Sequence, residues 1–191
     1  AGLRGISQKK AMEISQSLRR QLGLRRLVEY LGAYGMRPQY GMRLYRFYGD
    51  GALDMVKENP YIICMPYIGG EFAEADRLAL ALGFEGDSPQ RIAAAILFEL
   101  QHNAGNGHVF IPKEKLLAAT CQLIGVEMQP VEEGFEVLTD GGEVVCESVA
   151  GCEACYLEAL YEAETYTAQR LKRMVSVKLD SKVDIDAIID R

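Results

Sequence analysis

Apolar residues recur along this chain at three- and four-residue intervals, broken by Gly and Pro, and the pattern predicts a succession of short helices. Behind Ser7 as N-cap, Ala11, Ile14 and Leu18 form a buried stripe that Gly23 ends. A second helix over 24–33 turns Leu27, Tyr30 and Leu31 inward, with Arg25 and Arg26 near its start, where positive charge opposes the helix dipole. Gly35 and Pro38 then mark a tight turn into a helix over 39–48, carrying Leu44, Tyr45 and Tyr48 and closed by Gly49. Pro60 stops the next helix, Gly69-Gly70 makes a second tight turn, and residues 72–82 form a helix closed by Gly83.

The period changes further on. Ser88 and Pro89 open a helix that runs to about His102 with Ile92, Ala95, Ile96 and Leu100 on one face. A loop over 103–107 leads to a short strand, 108–111, and Pro112 opens a helix bearing Leu116, Leu117 and Leu123. Residues 133–147 alternate and turn at Asp140-Gly141-Gly142, which predicts a β-hairpin between FEVLT and EVVCE. A long helix follows over 156–175 with Leu157, Leu160, Tyr161, Ala168 and Leu171, and Asp184 caps a last helix over 185–190. Helix, strand, helix, hairpin is the order of a winged helix. The predicted fold is mainly α: tandem helix-hairpin-helix units over 1–86, a winged-helix-like module with a small β-hairpin over 87–150, and a long C-terminal helix within a helical connector over 151–191.

Composition sharpens this picture through its distribution. A chain of 191 residues with 49% hydrophobic content can bury a substantial core. No apolar run reaches the roughly 20 residues of a membrane span, and no signal-peptide pattern opens the chain, so a cytoplasmic protein without a membrane partner is expected. The net charge of -6 hides an asymmetry. The first fifty residues hold ten Lys or Arg against three acids, a net of +7, which leaves -13 for the remainder. One end suits a polyanion and the other does not; a solvated helix surface is the simpler alternative.

The turns give that charge a possible target. A helix entered from a sharp bend leaves loop and first-turn amides without intrahelical partners, and such amides bind phosphate oxygens. Candidate DNA contacts are Gly5, Ser7, Lys9 and Lys10 at a first bend, Arg25 and Arg26 beyond it, Gly35, Arg37, Arg43 and Arg46 around the second, and Gly69 and Gly70 in the third. Glu71 follows that last turn and is a poor neighbour for phosphate. Tyr45 and Tyr48 fit a core and could also stack on bases, the core being favoured.

Catalytic and metal chemistry find less support. The sequence has no G-x-x-x-x-G-K-[ST] segment to cradle nucleotide phosphates. Cys152 and Cys155, with Cys146 six residues earlier, lack a second pair at zinc spacing and read as buried or incidental thiols, while His108 reads as partly buried and structural. Neither a catalytic residue nor a metal ligand is assigned.

An ordered set of motifs remains: Tyr34-Gly35, Tyr48-Gly49-Asp50-Gly51-Ala52-Leu53, Glu58-Asn59-Pro60-Tyr61, then Gly69-Gly70, Phe72, Ala75-Asp76, Ala79 and Leu82-Gly83. The set resembles the helix-hairpin-helix region in front of the motor of RecD-like (RecD/TraA type, exodeoxyribonuclease V alpha-subunit-like) ATP-dependent DNA helicases. Gly5-Ile6-Ser7 with Ala11 is similar to the second half of another such unit. Gly107-His108 with Pro112, and YLEALYEAE over 156–164, continue the likeness. Where the family has Gly-Ile-Gly-Phe, this chain has Gly69-Gly70-Glu71-Phe72. The resemblance implies a non-catalytic DNA-binding accessory region of a 5'-to-3' helicase serving DNA repair or recombination. It implies single-stranded DNA or a single-strand/duplex junction as partner, the enzyme's own ATPase motor as neighbour, and ATP with Mg as cofactors of that motor, none being held in this region. The competing expectation is a protein-interaction scaffold in a repair or recombination complex, whose hairpins only pack against each other.

Overall fold

A computed structural model describes residues 7–176. Gly5, the rest of the bend before Ser7, and the final helix capped by Asp184 lie outside the described residues. Helix α1 spans Gln8–Ala33, α2 Pro38–Tyr48, α3 Ala52–Glu58, α4 Phe72–Ala81 and α5 Pro89–Gly105, with 3-10 turns at Gly49–Gly51 and Pro60–Cys64. Strand β1 is Phe110–Pro112; α6 is Lys113–Ile124, α7 Met128–Asp140, β2 Val144–Val149, β3 Cys152–Leu157 and α8 Glu158–Ser176. The strands form an antiparallel sheet in the order β1-β3-β2, with Ile111 and Cys146 both opposite Cys155. One cluster of buried side chains runs from Leu27 and Leu31 of α1 through Leu44, Ile63, Ile68, Leu78 and Ile96 to Leu116, Val131 and Val144.

The first two predicted helices are one. Gly23 lies inside α1 and does not end it. A Cβ there would stand 2.8 Å from the Tyr45 hydroxyl and 2.9 Å from Asp50 Oδ1, which are bonded to each other at 2.5 Å, so this glycine serves close packing. Ser7 caps α1 as expected, accepting from the Lys10 amide at 3.3 Å. The stripe ahead of Gly23 is not buried: Ile14 and Leu18 are 51% and 55% exposed, and Ala11 is exposed too. Leu27 and Leu31, two turns on, are the residues of α1 that reach the core. Arg25 and Arg26 therefore lie in mid-helix, away from any N-terminal dipole.

The second half departs from expectation at several points. Helix α5 continues through Gly105, taking most of the predicted loop, and β1 starts at Phe110, after the exposed His108. FEVLT is helical: Val131, Phe135 and Leu138 of α7 are buried at i, i+4 and i+7, while Val137 is 70% exposed. The hairpin is instead β2–β3, turning at Ala150 and Gly151, whose φ values of 52° and 80° match the two left-handed positions a tight hairpin needs. Tyr156 and Leu157 belong to β3, so the long helix begins at Glu158, and Leu123 is exposed.

Candidate nucleic-acid interface

The two Gly-containing turns stand side by side. At the first, α1 ends as the amides of Gly35 and Met36 bond the carbonyls of Gly32 and Leu31 at 2.9 and 3.1 Å. Gly35 takes a φ of 73°, which favours glycine. Helix α2 starts with Arg37 as N-cap and Pro38 in its first turn, where there is no acid. Among the described residues the Arg37 and Gln39 amides have no hydrogen-bond partner. The open amides thus lie two to four residues beyond the glycine that shapes the bend.

The second turn is built the same way and charged differently. Gly69 N–H donates to the Met65 carbonyl at 2.8 Å, and Gly70 N–H to that of Ile63 at 2.9 Å. A Cβ on Gly70 would lie 2.3 Å from Ile63 Cγ2 and 2.8 Å from its carbonyl oxygen, so only glycine fits. The amides of Glu71, Phe72 and Ala73 are without partners among the described residues. Yet Glu71 is the N-cap of α4 and Glu74 lies in its first turn, so the positive end of that dipole already has two carboxylates.

Those carboxylates reach back to the first turn. Arg37 Nη2 is 2.9 Å from Glu74 Oε2 and 3.3 Å from Glu71 Oε1, and its Nε is 3.2 Å from Glu74 Oε1. The Tyr40 hydroxyl also donates to Glu74. The Arg37 hydrogen bond outweighs partial burial and holds the Glu74 carboxyl below its ordinary range. Burial, with Glu74 beside it, pushes the Tyr40 phenol up to about 12. Arg43 bridges the turns by donating from Nη1 to the Ile68 carbonyl at 2.5 Å. Arg46, one turn further along α2, is exposed with no hydrogen bond or ion pair among the described residues.

The remaining predicted contacts are not gathered here. Lys9 and Lys10 are exposed in the first turn of α1, and a helix rising 1.5 Å per residue puts them roughly 35 Å from Gly35. Arg25 forms an exposed pair with Glu29 at 2.7 Å, and Arg26 is exposed beside it. Tyr45 and Tyr48 are half-buried and packed on the core, as the core reading has it. Two exposed aromatic residues that the sequence reading passed over, Phe47 and Tyr67, stand near the second turn. Their signal was positional: Phe47 is four residues after Arg43 on the outer side of α2.

A second set of charged residues is structural. Arg91, buried at the start of α5, pairs with both oxygens of Asp76 at 2.7 and 3.0 Å and donates to the carbonyls of Gly86 and Ile124. Tyr61 donates to the same carboxylate at 2.6 Å. Among the described residues no three His, Cys, Asp or Glu are gathered for a metal ion. Cys146 and Cys155 are cross-strand neighbours with Sγ atoms 3.5 Å apart, and burial pushes both thiols up. Among the described residues no helix is long and apolar enough to cross a membrane.

Two adjacent bends, each leading from one helix into the N-terminus of another and interlocked by Arg37 and Arg43, define a helix-hairpin-helix domain. Residues 20–110 match the family model of the ATP-dependent RecD2 DNA helicase HHH domain. Over that stretch, from the second half of α1 to the start of β1, the chain is similar to the helix-hairpin-helix domain of RecD2-type helicases, which supports an N-terminal RecD-like helicase region.

Proposed function

We propose that this chain is the DNA-binding accessory region of a RecD-like ATP-dependent helicase and grips the sugar-phosphate backbone without reading sequence. One observation carries the reading: in a stretch that matches a DNA helicase domain, the N-terminus of α2 offers unpartnered amides at Arg37 and Gln39, no first-turn acid, and a flank of Arg37, Arg43 and Arg46. Amides at a helix N-terminus and nearby guanidinium groups hold phosphate oxygens irrespective of base. The first bend is the better phosphate site, and Gly69 and Gly70 contribute by shaping the second.

The order α5-β1-α6-α7-β2-β3, with β3 between its neighbours, is that of a winged helix and supports a second DNA-facing module. A cytoplasmic setting, a role in DNA repair or recombination, 5'-to-3' polarity, a preference for single strands or junctions, and an ATPase motor using ATP and Mg follow from the likeness to RecD-type helicases. The scaffold reading keeps one observation in its favour, the engagement of Arg37 by Glu71 and Glu74, which packs hairpin on hairpin.

A salt titration separates the two. The chain is titrated against labelled DNA of two unrelated sequences. Equal affinities and a linear fall of log K with log salt are expected, and Arg43→Ala or Arg46→Ala should each reduce the slope by roughly 0.7–0.9. Binding that ignores salt, or variants that leave the slope intact, would favour the scaffold.

A further inference from the structure

Phe47 and Tyr67 make an aromatic shelf beside the cationic side of α2. Phe47 is 55% exposed and Tyr67 43% exposed, with ring centroids 4.5 Å apart and planes inclined at 47°. Tyr67 is pinned by a 2.7 Å bond between its hydroxyl and that of Tyr48. It precedes Ile68, whose carbonyl Arg43 holds. Phe47 follows Arg46 directly and lies one helical turn beyond Arg43. Two large rings are therefore held half in water on the elements that carry Arg43 and Arg46, while the hydrophobic core beneath is completed by Leu44 and Ile68, both fully buried.

We propose that this shelf is a stacking site for the unpaired nucleobases of single-stranded DNA whose phosphates are held by Arg43 and Arg46. The inference rests on the backbone-binding reading above and adds a base contact to it. Every nucleobase has a π-face, so stacking on exposed rings is tolerant of sequence, and the neighbouring cations suit the phosphates that link the bases. An apolar protein segment would match the rings but leave the two arginines without counter-charge. Duplex DNA would match the arginines but keeps its base faces stacked internally, out of reach of the shelf.

Three probes of the full chain test this by fluorescence polarisation: an oligothymidylate of about twelve nucleotides, an abasic sugar-phosphate oligomer of equal length, and a blunt duplex. The oligothymidylate should bind roughly tenfold more tightly than the abasic oligomer. Phe47→Ala should remove that difference and leave the salt slope unchanged, since no phosphate contact is lost. Tyr67→Phe, which keeps the ring, should retain most of the preference. Equal binding of oligothymidylate and abasic oligomer, with the salt slope intact, overturns the stacking site while the backbone reading stands. A Phe47→Ala chain that keeps its preference for bases, with unchanged thermal unfolding, also overturns it. Binding to none of the probes overturns both readings.

Discussion

The charge of a single side chain decides which bend can hold phosphate. Glu71 stands where the α4 dipole would otherwise attract an anion, and with Glu74 it occupies the guanidinium of Arg37. Removing the Glu71 carboxylate should therefore relieve part of the neutralisation of Arg37 and unmask an amide cluster together. Glu71→Gln is expected to tighten DNA binding several-fold at low salt and to steepen the salt slope by up to about one contact, with Glu74 still orienting Arg37. A salt titration of wild type and variant side by side checks this; a slope that stays put would mean that the second bend faces protein. The sequence showed Glu71 as an unfavourable neighbour, because a carboxylate after a turn is visible in any linear reading. It could not show that Arg37 was the partner, since 34 residues separate them and only the docking of hairpin on hairpin closes the distance.

At the scale of the element, period and punctuation were legible where both pointed to one structure, and misleading where they parted. Around Gly35 and Gly69 the turn residues, the helix starts and the buried positions agree, so both hairpins were readable. Gly23 looked like a stop and is a close-packing point, because its neighbours Tyr45 and Asp50 come from elsewhere in the chain. Asp140-Gly141-Gly142 looked like a hairpin turn and is the end of α7, whereas the actual turn uses Ala150 at φ 52°, a residue with no turn signature. Two stability measurements follow. Gly70→Ala must move Ile63, side chain and backbone both, and should cost about 1–3 kcal/mol in urea unfolding. Leu18→Glu should change stability by no more than about 0.5 kcal/mol, because Leu18 is exposed. Leu27→Ala, in the same helix, should cost about 2–5 kcal/mol, because Leu27 is fully buried. Equal losses at positions 18 and 27 would mean that the first half of α1 is packed after all.

In the molecule as a whole, two of the motif residues help to tie its halves together. Tyr61 of the ENPY stretch and Asp76 of the Ala-Asp pair meet at Arg91, which also caps the carbonyl of Ile124 at the end of α6. One buried guanidinium thus adds a polar joint to the continuous apolar core that the helix-hairpin-helix domain shares with the β-bearing half. Burial by itself would raise the Asp76 carboxyl, but the hydrogen bonds from Arg91 and Tyr61 prevail and hold it below its ordinary value. A carboxyl whose folded value lies below its unfolded one, near 3.9, stabilises fully above about pH 4 and ceases to do so as the pH falls through the folded value. Asp76→Asn leaves Arg91 buried without a counter-charge and should cost about 3 kcal/mol at pH 7. Urea unfolding from pH 7 down to 2 should show the variant losing less further stability with acid than wild type does. Glu74, also held low by Arg37, keeps some acid dependence in both. If wild type and Asp76→Asn have the same acid dependence, Asp76 is not charged in the folded protein, and the joint between the halves is held by packing alone.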